Sequence, residues 1–172
     1  VDATGILSDA EMSPEKALRQ IDPAQMARSY AINAIGPALL LKHFGPAMAR
    51  DGKSVFATLS AKVGSIGDNG LGGWISYRAA KAGLNQIVRT ASIELARRAP
   101  DAICVALHPG TVDTSLSEPF AKAGLDLRTP AAAAPEASTA DDEGVGGSRM
   151  DKSAARVARV RVTIFSLLLV KL

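Results

Sequence analysis

Tyr77 and Lys81 are the residues of this chain whose types and spacing could do chemistry. Four positions apart on a helix, a phenol and an amine share a face. An ammonium held beside a tyrosine favours the phenolate, lowers the phenol's pKa from its ordinary ~10, and lets it exchange a proton with a bound oxygen near neutral pH. Such a pair protonates a carbonyl oxygen or takes the proton of an alcohol. The same interval also arises in helices that simply lay a tyrosine and a snorkelling lysine along their surface, so the neighbouring elements must decide.

Those elements are legible on both sides. Upstream, Lys53-Ser-Val-Phe-Ala-Thr-Leu-Ser60 reads as a buried strand that ends on a hydroxyl. Downstream, Ala102-Ile-Cys-Val-Ala-Leu-His108 reads as a second strand, closed by Pro109-Gly110. From Tyr77 to about Arg98 the apolar residues Ala80, Leu84, Ile87, Val88, Ala91 and Leu95 keep helical spacing, and Pro100 ends the run. Nearer the start, Ser13-Pro14-Glu15 and Asp22-Pro23 both read as helix openings, with Gln25 completing a capping box on Asp22. A long helix is expected from Asp22, with Met26, Tyr30, Asn33 and Leu40 on one face and a bend at Gly36-Pro37. Asn33 is the polar residue of that face. Strand and helix signals in alternation imply a parallel sheet with helices on its faces, a doubly wound α/β plan that binds ligands at the carboxyl ends of its strands. Ser60 and Pro109-Gly110 stand at such ends.

Gly64, Gly67, Gly70, Gly72 and Gly73 crowd the segment between Ser60 and Tyr77. No Lys-Ser/Thr pair follows them and they do not form Gly-x-Gly-x-x-Gly between a strand and a helix, so a flexible wall of an active site fits better than a phosphate cradle. A Ser/Lys hydrolase built on Ser60 and Lys81 lacks the Gly-x-Ser-x-Gly elbow. His43, His108 and Cys104 have no metal-ligand spacing, and no metal is expected. Trp74 reads equally as a pocket wall or as loop packing.

A strand ending in Ser, a glycine-bearing loop, a helix with Tyr-x-x-x-Lys and a strand ending in Pro-Gly, in that order, resemble the short-chain dehydrogenase/reductase family. The wording from Gly64 to Tyr77 and His108-Pro-Gly-Thr-Val-Asp-Thr114 is most similar to its C-factor-like cell-signalling branch. The resemblance implies an NAD(P)-dependent oxidoreductase acting on a small-molecule carbonyl/alcohol pair, with NADP favoured over NAD. It gives Tyr77 the proton transfer, Lys81 the tyrosine pKa and the nicotinamide ribose, and Ser60 the orientation of the substrate oxygen. Asn33 would support a proton-relaying water, and Pro109, Gly110, Thr111 and Thr114 would line the nicotinamide. In the family's register Ala61 falls in the serine slot, which makes Ser60 the nearest hydroxyl and Ser65 a weaker candidate. Asp2 stands where the family has an asparagine that steadies the central sheet. The alternative is a non-catalytic remnant or signalling-type pseudoenzyme that keeps the motif without turnover.

Composition agrees with a globular protein: 172 residues, 47% hydrophobic, a formal net charge of +3 and a pI of about 9.2. Lys and Arg are interspersed with Asp and Glu, so no nucleic-acid stripe is implied. One cysteine, Cys104, in an apolar strand argues for a packing role and a cytoplasmic setting. The two long helices pack on the sheet alone or also meet a second copy, which leaves a homo-oligomer among the expected partners. Residues 1–128 are expected to form the catalytic half of a Rossmann-like domain truncated at its N-terminus, without the glycine-rich turn that seats a pyrophosphate. Residues 129–172 read as an anomalous, low-complexity tail, either disordered or frame-shifted. Its apolar end, 164–170, falls short of the ~20 residues that span a bilayer, so no membrane span is expected.

Overall fold

The computed structural model describes residues 1–112 and, as backbone alone from residue 111, the pairs 111–112, 127–128 and 138–139. Thr114 and most of the segment expected to be a tail lie outside the described residues. The elements in chain order are α1 (Pro23–Tyr30), a wide π-type turn (Ala31–Ile35), α2 (Gly36–Phe44), β1 (Ser54–Leu59), α3 (Ile75–Ala96) and β2 (Ala102–His108). Three short strands follow: β3 (Thr111–Val112), β4 (Leu127–Arg128) and β5 (Ser138–Thr139).

The sheet order is β1-β2-β5. β1 and β2 run parallel, in register from Ser54 opposite Ala102 to Leu59 opposite Leu107, and α3 makes the crossover that parallel neighbours require. β5 pairs antiparallel with the end of β2 through Leu107 and His108, and β3 pairs with β4 apart from this sheet. On the other side of β1, Asp2 forms a single parallel bridge to Thr58. Its N–H donates to Ala57 O at 2.7 Å and its carbonyl accepts Leu59 N–H at 2.9 Å.

Asp2 therefore ties the opening segment to the sheet. One carboxylate oxygen accepts the Thr58 hydroxyl at 2.7 Å; the other accepts the Thr4 N–H at 3.0 Å and the Thr4 hydroxyl at 2.7 Å. Both oxygens face donors, which suits a carboxylate better than an amide.

The core forms where α2 and α3 lie on the sheet. Leu41, Leu84 and Val88 are its centre, with Phe56, Ile87, Ala91, Cys104 and Ala106 packed against them. Cys104 is thus a packing residue, and burial pushes its thiol up to about 11.

Three local expectations are corrected by tertiary contacts. The segment opening at Ser13-Pro14 forms no α-helix, only a single 3₁₀ turn at Leu18–Gln20. Glu15 is drawn away to the start of α3, where its carboxylate and carbonyl are both engaged, and residues 12–17 form no regular element. The long helix does open at Asp22, whose side chain accepts Gln25 N–H at 2.7 Å. Gln25 completes no capping box: its side chain turns to Ser13, where the amide N–H donates to the carbonyl at 2.9 Å. That helix departs from α-geometry at Ala31–Ile35, ahead of Gly36-Pro37, and its buried stripe is Ser29, Asn33, Pro37 and Leu41.

Gly64 is where the loop after β1 closes on α3. A methyl group there would come 3.0 Å from Lys81 C and Cβ, which is overpacked. Gly64→Ala is expected to lower stability by about 1–3 kcal/mol, seen as a reduced urea midpoint at unchanged m-value. Gly67→Ala, with nothing within 4 Å of the added carbon, should leave the midpoint in place.

Candidate active site

α3 presents Tyr77 and Lys81 inward, toward the carboxyl end of β1. Tyr77 is 8% exposed and Lys81 2%. The Lys81 Nζ lies 5.8 Å from the centroid of the tyrosine ring and donates to Leu59 O at 2.8 Å, fastening helix to strand.

The pairing is the one the four-residue spacing predicts, but the electrostatics differ. Burial pushes the Tyr77 phenol up to about 12, where the sequence alone suggested a lowered value. Desolvation of the phenolate outweighs the lysine because the lysine is itself desolvated. Burial lowers Lys81 to about 8, against the opposing pull of the Asp2 carboxylate. The geometry is that of a neutral phenol beside an amine that titrates close to neutrality.

Asn33 reaches the same place from the π-type turn and is fully buried. Its side-chain oxygen accepts Ile6 N–H at 3.0 Å, and its amide donates to Ile6 O at 2.8 Å and Ser29 O at 3.0 Å. The side chain is thus occupied in clamping the segment after Asp2 onto the helix. Pro37, four residues on, has no N–H to offer the Asn33 backbone carbonyl. Wide turns of this kind recur at functional sites. Gly5 lies between the groups: a methyl there would come 3.4 Å from Asn33 Oδ1 and 3.6 Å from Lys81 Nζ.

Ser60 stands at the end of β1, 6% exposed, with its N–H donating to Leu107 O at 2.7 Å. Its hydroxyl donates to Asn85 Oδ1 at 2.6 Å. Asn85 lies two helical turns beyond Tyr77, about 12 Å of rise, so this hydroxyl reaches a substrate oxygen only by giving up that bond. Asn85 was missed from the sequence, although it continues the Tyr77–Lys81 face by one more step of four. Ser65 is exposed and its hydroxyl accepts Asp68 N–H at 3.3 Å.

The glycine-bearing loop is stapled, and the signal for this was also overlooked. Arg78, next to Tyr77, donates to Gly73 O at 3.0 Å, Gly72 O at 3.2 Å and Val63 O at 3.4 Å. Trp74 is half-buried and sits just before α3 in the left-handed region, φ 51. Pro109 and Gly110 follow β2 beside Ser60, with Gly110 at φ 78, and the Thr111 backbone enters β3.

A buried phenol and amine at the carboxyl end of a parallel β-α-β unit place the chain among the doubly wound α/β proteins. The family model described as enoyl-(acyl carrier protein) reductase matches residues 2–148, and the chain belongs to the short-chain dehydrogenase/reductase family. That match runs past Arg128, where the readable resemblance ends. The chain is 37% identical to C-signal of Myxococcus xanthus over 105 residues, 61% of this chain and 62% of that protein, in line with the branch its motif wording resembles. It is 34% identical over 101 residues, 58% of this chain and 42% of the relative, to a 1-hydroxy-2-glutathionyl-2-methyl-3-butene dehydrogenase of a Rhodococcus species. Among solved structures, a short-chain dehydrogenase/reductase from Burkholderia multivorans with bound NADP aligns at TM-score 0.59 and 26% identity, covering 70% of this chain and 49% of the other. An NADPH-bound carbonyl reductase from chicken fatty liver aligns at 0.55 and 31%, covering 65% and 45%. The chain spans less than two thirds of the length of each of these relatives. No helix among the described residues is long and apolar enough to cross a membrane.

The lowered Lys81 pKa makes a signed prediction. Between about 8 and its ordinary 10.5 the folded chain holds fewer protons on this group than the unfolded chain, so stability rises with pH across that window. Tyr77, raised from 10 to about 12, and Cys104, raised from 9 to about 11, act in the opposite sense at higher pH. Lys81→Met leaves both of those in place. Urea unfolding between pH 7 and 10 should therefore show wild type gaining stability relative to Lys81→Met as pH rises from about 8. Parallel pH profiles would contradict the buried-amine account.

Proposed function

We propose that this protein is an NAD(P)-dependent oxidoreductase for a small carbonyl/alcohol pair, with Tyr77 as the group that moves the proton on the substrate oxygen. The observation that carries this reading is the buried stack of Tyr77 and Lys81 on one face of α3, with Gly5 and Asn33 beside the amine. The residues present fit a nicotinamide ribose: Lys81 offers hydrogen-bond donors beyond the one spent on Leu59 O, and the bare Gly5 leaves the space a methyl would fill. When bound, the nicotinamide supplies or accepts the hydride. Pro109, Gly110 and Thr111 are the segment that would pass its ring, joined by Thr114. The NADP and NADPH bound in two solved relatives support a nicotinamide cofactor, and NADP is the one the motif resemblance favours.

In carbonyl reduction Tyr77 gives its phenolic proton to the oxygen as negative charge develops there, and in the reverse direction it takes the alcohol proton. A phenol held neutral near 12 is ready as the acid, and approach of the Lys81 ammonium stabilises the phenolate it leaves. Lys81, titrating near 8, can return a proton to that phenolate after reduction and be recharged through a water held on the Asn33 carbonyl, and in the reverse direction the same path carries the alcohol proton away. Ser60 orients the substrate oxygen after exchanging Asn85 for it. The dehydrogenase name of the Rhodococcus relative and the reductase names of the family model and the chicken protein support this class of reaction.

A signalling-type protein without turnover is the second reading. It is favoured by the Ser60 hydroxyl being held by Asn85, with Ala61 next to it, and by the likeness to C-signal.

The test is NADPH oxidation by the full chain against a panel of aldehydes and ketones, with NADPH binding followed by fluorescence. Tyr77→Phe should lower kcat by about 10³-fold or more while leaving NADPH binding within a few-fold. Ser60→Ala should lower kcat by about 10²-fold if its hydroxyl reaches the substrate. Wild-type turnover that survives Tyr77→Phe removes the proton-transfer role. Tight NADPH binding with no turnover on any substrate selects the signalling reading.

A further inference from the structure

α3 starts without a cap of its own. Its N-cap residue is Trp74, whose side chain makes no capping hydrogen bond. The first N–H groups of a helix need acceptors from elsewhere, and here they come from a residue 61 positions earlier in the chain. Glu15 is 2% exposed. One carboxylate oxygen accepts Ser76 N–H at 3.2 Å, the other takes the Ser76 hydroxyl, and its backbone carbonyl accepts Trp74 N–H at 2.5 Å. Gly73 makes the approach possible: it has φ +66, and a methyl on it would come within 3.4 Å of Glu15 O.

A carboxylate at a helix N-terminus is favoured by the helix dipole. Burial by itself would raise the Glu15 pKa, but the hydrogen bonds from Ser76 and the backbone prevail and leave it lowered. Glu15 is therefore an ionised cap buried against the residue that immediately precedes Tyr77.

We propose that Glu15 is a positioning residue for Tyr77: by capping α3 at Ser76 it sets the depth and direction at which the phenol enters the site. This rests on the reading of Tyr77 as the proton-transfer group, and Glu15 acts only through Ser76 and Trp74. The charged groups around this stretch are Glu15 at the helix start, Lys16 beside Gly73, Arg78 and Lys81 on the same helix, and Asp2 acting on Lys81 from the sheet side. Removing Glu15 loosens the first turn and removes an anion, and both changes make the phenolate easier to form.

The chain has two tyrosines, Tyr30 and Tyr77, so the first serves as an internal reference. Nitration of the full chain by tetranitromethane at pH 8, quantified by mass spectrometry of tyrosine-containing peptides, reads the phenolate reactivity of each. Glu15→Ala is expected to raise the Tyr77 to Tyr30 rate ratio about tenfold, the effect of a fall of about one pH unit in the Tyr77 pKa. Ser76→Ala, which keeps the N–H bond, should raise it about threefold. A cap that served stability alone would act through opening of the fold, which favours the buried Tyr77 over the partly buried Tyr30, and would raise the ratio only as far as an equally destabilised core variant, Val88→Ala, does. A ratio within about twofold of wild type or of the Val88→Ala control in Glu15→Ala, or in Ser76→Ala should Glu15→Ala fail to fold, overturns the proposal. The readout needs no turnover, so its failure is distinct from a failure of the Tyr77→Phe assay.

Discussion

The Lys81 amine is buried at the seam between β1 and α3, and the groups around the site are arranged to make that tolerable. A charged ammonium out of water is costly, so it either loses its proton or gains partners. This one does some of each: its pKa is lowered to about 8, it donates to Leu59 O, and the Asp2 charge opposes the lowering. Leu59 in turn donates its N–H to Asp2 O, so one strand residue links the lysine to the opening segment. Tyr77 is placed by the same constraint, one helical turn before a lysine that cannot leave.

Long-range polar ties hold this seam. Asn33 clamps Ile6 across 27 residues, Asp2 takes the Thr58 hydroxyl across 56, and Glu15 takes Ser76 across 61. The last of these stands in for the cap that α3 lacks. Buried polar groups left without partners are destabilising, so such ties narrow the alternatives open to the chain and fix the register of helix against strand. The apolar core of Leu41, Leu84 and Val88 supplies cohesion, while the polar ties supply placement.

Much of the fold was legible because its signals are periodic. β1 and β2 fall within a residue of the runs that predict them, and α3 begins two residues before Tyr77 and ends at Ala96. The helix opening at Asp22-Pro23 was likewise readable from its cap. The opening at Ser13-Pro14 was misleading, because a Pro at a helix start is only a permissive signal and Glu15 has a better partner at the distant start of α3. The π-type turn was read as a bend at Gly36-Pro37, since proline announces a break but not the turn in which the ladder adjusts. The glycines before Tyr77 suggested flexibility; the three carbonyl acceptors of Arg78 show a loop tied to its helix.

The sequence by itself determined which chemistry is available: a phenol and an amine on one helical face, between strands ending in Ser60 and Pro109-Gly110. These are consequences of residue type and spacing, which act locally. Only the tertiary structure decided the protonation states and the duties of the supporting polar groups. Burial raises Tyr77 where proximity to lysine alone would lower it, Asn85 holds the Ser60 hydroxyl, and Asn33 spends its side chain on Ile6. Desolvation and hydrogen-bond pairing depend on what packs around a group, and most of those neighbours lie tens of residues away along the chain.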